Sequence, residues 1–335
     1  MCGVIAEGVV NVRKLKLEDV AKHAGVSPTT VSRVLNNRGS ISEKTRKNVN
    51  DAIEYLGYYP NEVARSLHGS KTNLIGVLLP NVSNPFYGEI ATELENELAK
   101  HKYKVLLCNT NNDLEKETNY LKMLLSNQVD GIITGSRNFP SEIYQKANLA
   151  IVAIDRFVSS EVPNVRSDNY MGACLATEYL IEKKCKKIAL FTGSPEGEIK
   201  KGDYRAQGYL DTINKHNREA LVFMVSFDAD ETYQRKKVAE CLDLHPDLDG
   251  IFATGDILAG IVNSIARKKN KEPEIVGYDG TEAFLSFCGN VSTIRQPVKE
   301  MAKVATDVIM DIIADEFTDE KREFVLPVSF VERSY

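Results

Sequence analysis

Two sets of side chains in this 335-residue chain have types and spacings that can do chemistry. The first lies near the N-terminus, in the helical stretch PTTVSRVLN. Val31, Val34 and Leu35 share one face there, which leaves Thr29, Thr30, Ser32, Arg33 and Asn36 pointing outward. Short polar groups let a backbone come close to a nucleic acid, and one long arginine can reach guanine O6 and N7. The second set follows apolar runs further along. It comprises Asn84, Phe86 and Tyr87 after LIGVLLPNVS, Asp155 and Arg156 at the end of AIVAID, Asp168 after NVRS, and Arg205 in GDYRAQGY. It continues with Phe227 after ALVFMVS, Asp256 after IFATG, Asp279 in GYDG and Gln296 in TIRQP. Carboxylates and guanidinium groups engage vicinal hydroxyls in pairs, and aromatic faces cover the apolar side of a sugar ring. The mixture fits a polyhydroxylated or phosphorylated small molecule. Asp256, which opens ILAGIVNSIA, also reads as a helix N-cap.

No catalytic constellation accompanies these groups. GxSxG, HExxH, GxxxxGK[ST] and GxGxxG are missing from the sequence, and its five histidines are scattered. Asp228 and Asp230 flank Ala229 in the manner of a solvated turn. No metal and no cofactor is called for, and the chain reads as a binding protein rather than an enzyme.

The elements that must position these groups can be read from periodicity. LEDVAKHA spaces Leu17, Val20, Ala21 and Ala24 as one helical face, and Gly25 ends it with a turn. Ser27 offers a cap oxygen and Pro28 the first helical position. A third helix runs from Ser42 to Gly57 with Val49, Ile53 and Leu56 inward. Two short helices about a glycine turn, braced by a third, form a helix-turn-helix unit over residues 15–60. NEVARSLHG follows, about two helical turns that are marginal alone in water and can fold on binding. From residue 74 apolar runs alternate with amphipathic helices. That rhythm predicts an α/β body of two parallel sheets covered by helices, with ligands beyond the carboxyl ends of the strands. The expected lobes are residues 74–168 with 298–325, and 169–297 with 326–335; residues 61–73 are the linker.

Charge supports a division of labour. Residues 1–72 carry 11 Lys/Arg against 7 Asp/Glu, whereas the rest carries 31 against 40. A basic head on an acidic body is expected when one end meets a polyanion. The six cysteines have no disulfide-style spacing and read as thiols of a reducing cytosol. No run approaches the roughly 18 apolar residues of a membrane span. Residues 1–14 lack the layout of a signal peptide and read as a disordered extension. The expected location is the cytoplasm.

DVAKHAGVSPTTVSRVLN closely resembles the N-terminal signature of the LacI family of repressors, and the resemblance continues through GYYPNEVARSLHG to Arg333. It implies that Pro28, Thr29 and Arg33 face base edges, while Thr30, Ser32 and Asn36 anchor phosphates. Lys16 and Leu17 join this DNA-facing set. Lys16 stands where the family usually has a Thr; it can meet phosphate but cannot cap a helix. The resemblance makes 61–69 a hinge helix paired with its twin, with Leu67 wedged into a base step from the minor groove and Asn61, Ala64 and Arg65 beside it. In the body the strand-end residues match the positions through which type I periplasmic-binding-protein-like domains hold ligands. Gly255 replaces an Asn or Ser common in the family, so a ligand hydrogen bond is lost there. Asn-Pro-Phe-Tyr with Asp155–Arg156 is similar to the sucrose and ribose branches.

The resemblance therefore implies a homodimeric repressor of a carbohydrate operon, sucrose before ribose, released from a palindromic operator by a sugar or sugar-phosphate effector. The leucine-rich C-terminal tail of tetrameric relatives is not found after FVLPVSFVERSY, which favours the dimer. Two alternatives stay open: a corepressor-dependent global regulator of the same fold, and a sugar-binding transport protein.

Overall fold

Caps fix the three N-terminal helices, α1 (Leu17–Ala24), α2 (Pro28–Leu35) and α3 (Glu43–Leu56). Gly25 closes α1 at φ 67°, a left-handed conformation that costs glycine least, and its N–H donates to the Ala21 carbonyl. The Ser27 hydroxyl accepts from Thr30 N–H at 3.1 Å, with Pro28 at the first helical position. Ser42 caps α3 in the same way at 3.2 Å. As expected for lysine, Lys16 gives α1 no side-chain cap; Asp19 instead accepts the Lys16 backbone N–H at 2.8 Å. Val20, Val31 and Val49 are fully buried at the centre of the unit. Ala21, Val34, Ala52 and Tyr58 complete its core, while Leu17, Leu35, Ile53 and Leu56 are only partly covered.

The computed structural model describes residues 15–36, 38–59, 71–126, 129–136, 149–193, 203–227, 229–318 and 322–333. Asn61, Ala64, Arg65 and Leu67, assigned above to a hinge helix, lie outside the described residues, as do residues 1–14. The chain divides into two units, Met1–Ser70 and Lys71–Tyr335.

Among the described residues, the second unit contains two six-stranded sheets. The first uses β1 (Leu74–Leu79), β2 (Lys104–Asn109), β3 (Gly131–Thr134), β4 (Ala150–Ile154), β5 (Asn164–Ser167) and β11 (Glu323–Leu326), in the order β11-β5-β4-β3-β1-β2 and parallel throughout. The second uses β6 (Ile188–Thr192), β7 (Leu221–Met224), β8 (Gly250–Ala253), β9 (Glu274–Asp279), β10 (Ser292–Arg295) and β12 (Ser329–Val331), in the order β12-β10-β9-β8-β6-β7. Its last strand is antiparallel to β10, a departure from the all-parallel expectation. The apolar run FVLPVSFV is broken at Pro327 into β11 and β12, one for each sheet. Proline has no N–H to continue a ladder.

Helices α4 (Pro85–Lys100), α5 (Leu114–Ser126) and α11 (Val298–Ala314) belong with the first sheet. Helices α6 (Asn169–Glu182), α7 (Tyr204–Lys215), α8 (Glu231–Leu244), α9 (Asp256–Lys268) and α10 (Glu282–Phe287) belong with the second. The inner strands β1, β3, β4, β6, β8 and β9 are almost wholly buried, as parallel strands sandwiched by helices must be. The chain crosses between sheets after β5, after β10 and after β11. These crossings are tied together: Asp168 N–H donates to the Leu326 carbonyl at 2.8 Å, and Ser167 Oγ donates to Gln296 Oε1 at 2.6 Å. Glu89 on α4 adds a further link by accepting the Glu282 N–H of α10 at 2.7 Å. Among the described residues no helix is long and apolar enough to cross a membrane.

Candidate functional site

On the N-terminal unit, α2 presents the outward face that its periodicity predicts. Lys16, Pro28, Thr29 and Arg33 are exposed, and Leu17, Thr30, Ser32 and Asn36 are half-buried. Eight residues make a helix about 12 Å long, a fair match to a major groove about 12 Å wide. Several polar groups on the face are already ordered. The Thr30 and Ser27 hydroxyls are 2.9 Å apart, and Asn36 Nδ2 donates to the Ser32 carbonyl at 2.9 Å. Its first turn carries no acid, and Arg33 lies in its last turn. The backbone N–H groups at its start favour an anion, as any helix N-terminus does.

In the second unit Arg205 is the hub. It lies on the first turn of α7 rather than at a strand end. Its Nε donates to Asn169 Oδ1 at 2.7 Å and its Nη1 to the Thr254 carbonyl at 2.7 Å. The guanidinium lies 3.7 Å from the Tyr278 ring centroid and 3.7 Å from Asp279 Oδ1. Asp279 Oδ1 also accepts from Gln296 Nε2 at 2.8 Å. Burial opposes the Arg205 charge, but Tyr278, Asp279 and Asp155 outweigh it and raise its pKa. Burial lifts the Asp279 carboxyl to about 6 even though Arg205 and Gln296 pull it down.

The first sheet contributes Asp155 and Arg156, directly after β4. Asp155 acts electrostatically on Arg205 of α7 and on Tyr278 and Asp279 of β9, so the carboxyl ends of the two sheets converge here. Asp155 and Asp279 both take positive φ, 58° and 113°. Such backbone costs of order 1–3 kcal/mol per residue and gathers at binding sites. Among the described residues, buried Asp155 Oδ1 and Arg156 Nε have no hydrogen-bond partner. The Tyr87 phenol bonds the Arg156 guanidinium, whose pKa is raised by Tyr87, Asp155 and Asp203 in spite of burial. Phe86 and Tyr87 are buried in the first sheet's core with their rings 5.2 Å apart.

Several expected residues also make local contacts of their own. Asn84 caps α4 by accepting Phe86 N–H at 3.0 Å, and Asp168 caps α6 by accepting Met171 N–H at 3.0 Å. It is the next residue, Asn169, that meets Arg205. Asp256 is not the N-cap of α9; Gly255 is, without a side-chain cap. The Asp256 carboxylate turns inward instead, accepting from Thr293 Oγ1 at 2.6 Å and Gly280 N–H at 2.8 Å. Burial, then the Asp279 charge, push it up to about 8. Phe227 lies beyond the end of β7, its ring over Gly193, where a Cβ would come within 1.9 Å of Cδ2. Ser167, Asn169, Thr254 and Tyr278 belong to this network and were not expected. Tyr278 adjoins Asp279 in GYDG, which was its one available signal.

A family model described as "Bacterial regulatory proteins, lacI family" matches residues 16–61, and one described as "Periplasmic binding proteins and sugar binding domain of LacI family" matches residues 72–334. The chain belongs to the LacI family. This LacI-family chain is 38% identical over 324 residues to a sucrose operon repressor of Pediococcus pentosaceus, a match covering 95% of this chain and 98% of the relative. It is 36% identical over 321 residues to a ribose operon repressor of Halalkalibacterium halodurans, covering 95% and 96%. The chain is also similar to a periplasmic binding protein/LacI transcriptional regulator from Alkaliphilus metalliredigens complexed with D-xylulofuranose. That likeness has TM-score 0.69 and 29% identity and covers 78% of this chain and 98% of the other.

Proposed function

We propose that this LacI-family chain is a cytoplasmic, homodimeric repressor of a carbohydrate operon whose grip on palindromic DNA is set by a sugar held between its two sheets. The observation that carries the reading is a pair of atoms at the end of β4 that lack hydrogen-bond partners among the described residues. Asp155 Oδ1 is an acceptor and Arg156 Nε a donor, both buried, beside the Arg205–Asp279 pair of the other sheet. Buried polar atoms are nearly always hydrogen-bonded. A hydroxyl both donates and accepts, so a hydroxylated ligand is suited to an acceptor and a donor on neighbouring residues. Phe227 supplies an exposed aromatic surface of the kind that covers the apolar side of a sugar.

A ligand bridging the two sheets couples to DNA only if it prefers one lobe arrangement, and the coupling is reciprocal. A typical coupling of about 1–3 kcal/mol gives roughly 5- to 150-fold in operator affinity. On the DNA side, Arg33, with Thr29 and Pro28 beside it, reads base edges, and Lys16, Thr30, Ser32 and Asn36 hold phosphates. A two-fold dimer matches a two-fold operator. The effector-site residues of the reading are Asn84, Phe86, Tyr87, Asp155, Arg156, Asp168, Arg205, Phe227, Asp256, Asp279 and Gln296, with Asn84 and Asp168 acting as helix caps beside the site. The similarity to sucrose and ribose operon repressors supports a sugar, and no reaction is assigned to the site. Calorimetric titration of the full chain with sucrose, D-fructose, D-ribose and their phosphates tests this. Saturable binding of one of them, lost in Asp155→Ala and Arg156→Ala variants that still fold, is expected. Binding that survives both substitutions refutes the site.

A further inference from the structure

Gly255 is a glycine that neither the backbone nor the packing requires. Its φ of −170° is ordinary extended backbone. As the N-cap of α9 it occupies a position where Ser, Asn or Asp would accept a first-turn N–H, and it gives that cap up. Among the described residues, the atoms nearest to a Cβ built on Gly255 are Phe227 Cζ at 3.4 Å, Phe227 Cε1 at 3.6 Å and Asp279 Oδ2 at 3.9 Å. Those are ordinary van der Waals distances, so a side chain fits. Gly193 behaves differently, because a Cβ there would overlap the Phe227 ring. The two glycines therefore do separate jobs: Gly193 seats the ring, and Gly255 leaves open the space between the ring edge and a buried carboxylate.

We infer that Gly255 is a specificity-determining position, keeping room for the one hydroxymethyl group by which a D-fructose ring exceeds a D-ribose ring of the same size, so that the site takes D-fructose in preference to D-ribose. The inference rests on the sugar-binding reading above. A ligand carbon in the place of the missing Cβ touches the Phe227 ring, and a hydroxyl on that carbon falls within hydrogen-bond reach of Asp279 Oδ2. The Asp279 carboxylate has the capacity. Its Oδ1 accepts from Gln296, the Asp256 backbone N–H also reaches the carboxylate, and two oxygens offer about four acceptor sites. A serine at 255 would fill the space with its own carbon and hydroxyl, satisfying Asp279 internally and displacing the hydroxymethyl group. An alanine would fill it with carbon alone.

The test is calorimetric titration of the full-length chain and its Gly255→Ser and Gly255→Ala variants with D-fructose and with D-ribose, alongside thermal unfolding. Both variants should fold, since Ser adds a cap oxygen and neither residue is strained at this φ. The wild-type chain should bind fructose more tightly than ribose. The fructose-to-ribose affinity ratio should fall about tenfold or more in each variant, the scale on which one small group is discriminated. A wild-type preference for ribose, or a ratio left unchanged in folded variants, overturns the inference and leaves the sugar site standing. If the wild-type chain binds neither sugar, and binds neither sucrose nor the sugar phosphates titrated above, both readings fall.

Discussion

Replacing Arg205 by alanine should show how far the second unit depends on one side chain. The substitution removes two hydrogen bonds of 2.7 Å from a charged donor and a guanidinium–ring contact of 3.7 Å. Hydrogen bonds to charged groups are worth about 1.5–3 kcal/mol each, and a desolvated cation–π contact about 2 kcal/mol. It also leaves Asp279 buried without its 3.7 Å countercharge. These contributions overlap, and stripping one partner from a buried ion pair costs about 3–5 kcal/mol in total. Against a typical stability of about 5–15 kcal/mol, Arg205→Ala should bring the second unit near its threshold. The loss should also depend on pH. Without Arg205 the Asp279 carboxyl rises above its present value of about 6, so the penalty is smaller at pH 5, where Asp279 is mostly protonated, and larger at pH 8. Urea unfolding followed by circular dichroism at both pH values measures this. Arg205→Ala/Asp279→Asn should recover part of the pH 8 loss, by about 0.5–3 kcal/mol of coupling. A loss below about 1 kcal/mol, equal at pH 5 and pH 8, would show that Arg205 is not the hub.

Other consequences concern both units. Arg33→Ala should weaken operator binding by about 1–3 kcal/mol and relax preference at one base pair, whereas Lys16→Ala should lower the salt slope by about 1 and keep the preference; competition against single-base operator variants separates the two. Ser27→Ala removes the cap of α2 and should destabilise the N-terminal unit by about 1 kcal/mol, read by thermal unfolding. Asp256 and Asp279 have raised pKa values, so the folded chain holds more protons than the unfolded one at mildly acidic pH. The stability they contribute there is lost as pH rises through about 6 to about 8. Asp256→Asn should flatten that decline, visible in urea midpoints at pH 6, 7 and 8.

The N-terminal unit was legible because its signals are local. Gly25, Ser27, Pro28, Ser42 and Gly57 act on the helix ends they adjoin, and each keeps its expected place. Its core was less so: Ala52 and Tyr58 are buried, while Ile53 and Leu56 are only partly covered, since α3 packs against both α1 and α2 and the chain beyond its Gly57 cap turns Tyr58 inward. Strands in the body were visible as apolar runs, but the antiparallel β12 was not, because strand direction depends on which sheet the chain enters after Pro327. In the site, charged residues at strand ends drew attention by type. Asn169 and Thr254 did not, because their value comes from meeting Arg205 across 36 and 49 residues of sequence. Asp256 shows the same limit. Pattern places an acid at a helix start as a cap, and only tertiary contact with Thr293 and Gly280 turns it inward.

The most direct measurement is fluorescence anisotropy of the full-length chain on a palindromic operator taken from upstream of its own gene, titrated with sucrose, D-fructose, D-ribose and their phosphates. A repressor controlled through the Asp155–Arg156–Arg205–Asp279 site should bind the operator and be released by one of these sugars roughly 5- to 150-fold, with the effect abolished in Asp155→Ala. Operator binding that no sugar changes, or that a metabolite tightens, would contradict induction by sugar and place the chain with corepressor-dependent regulators.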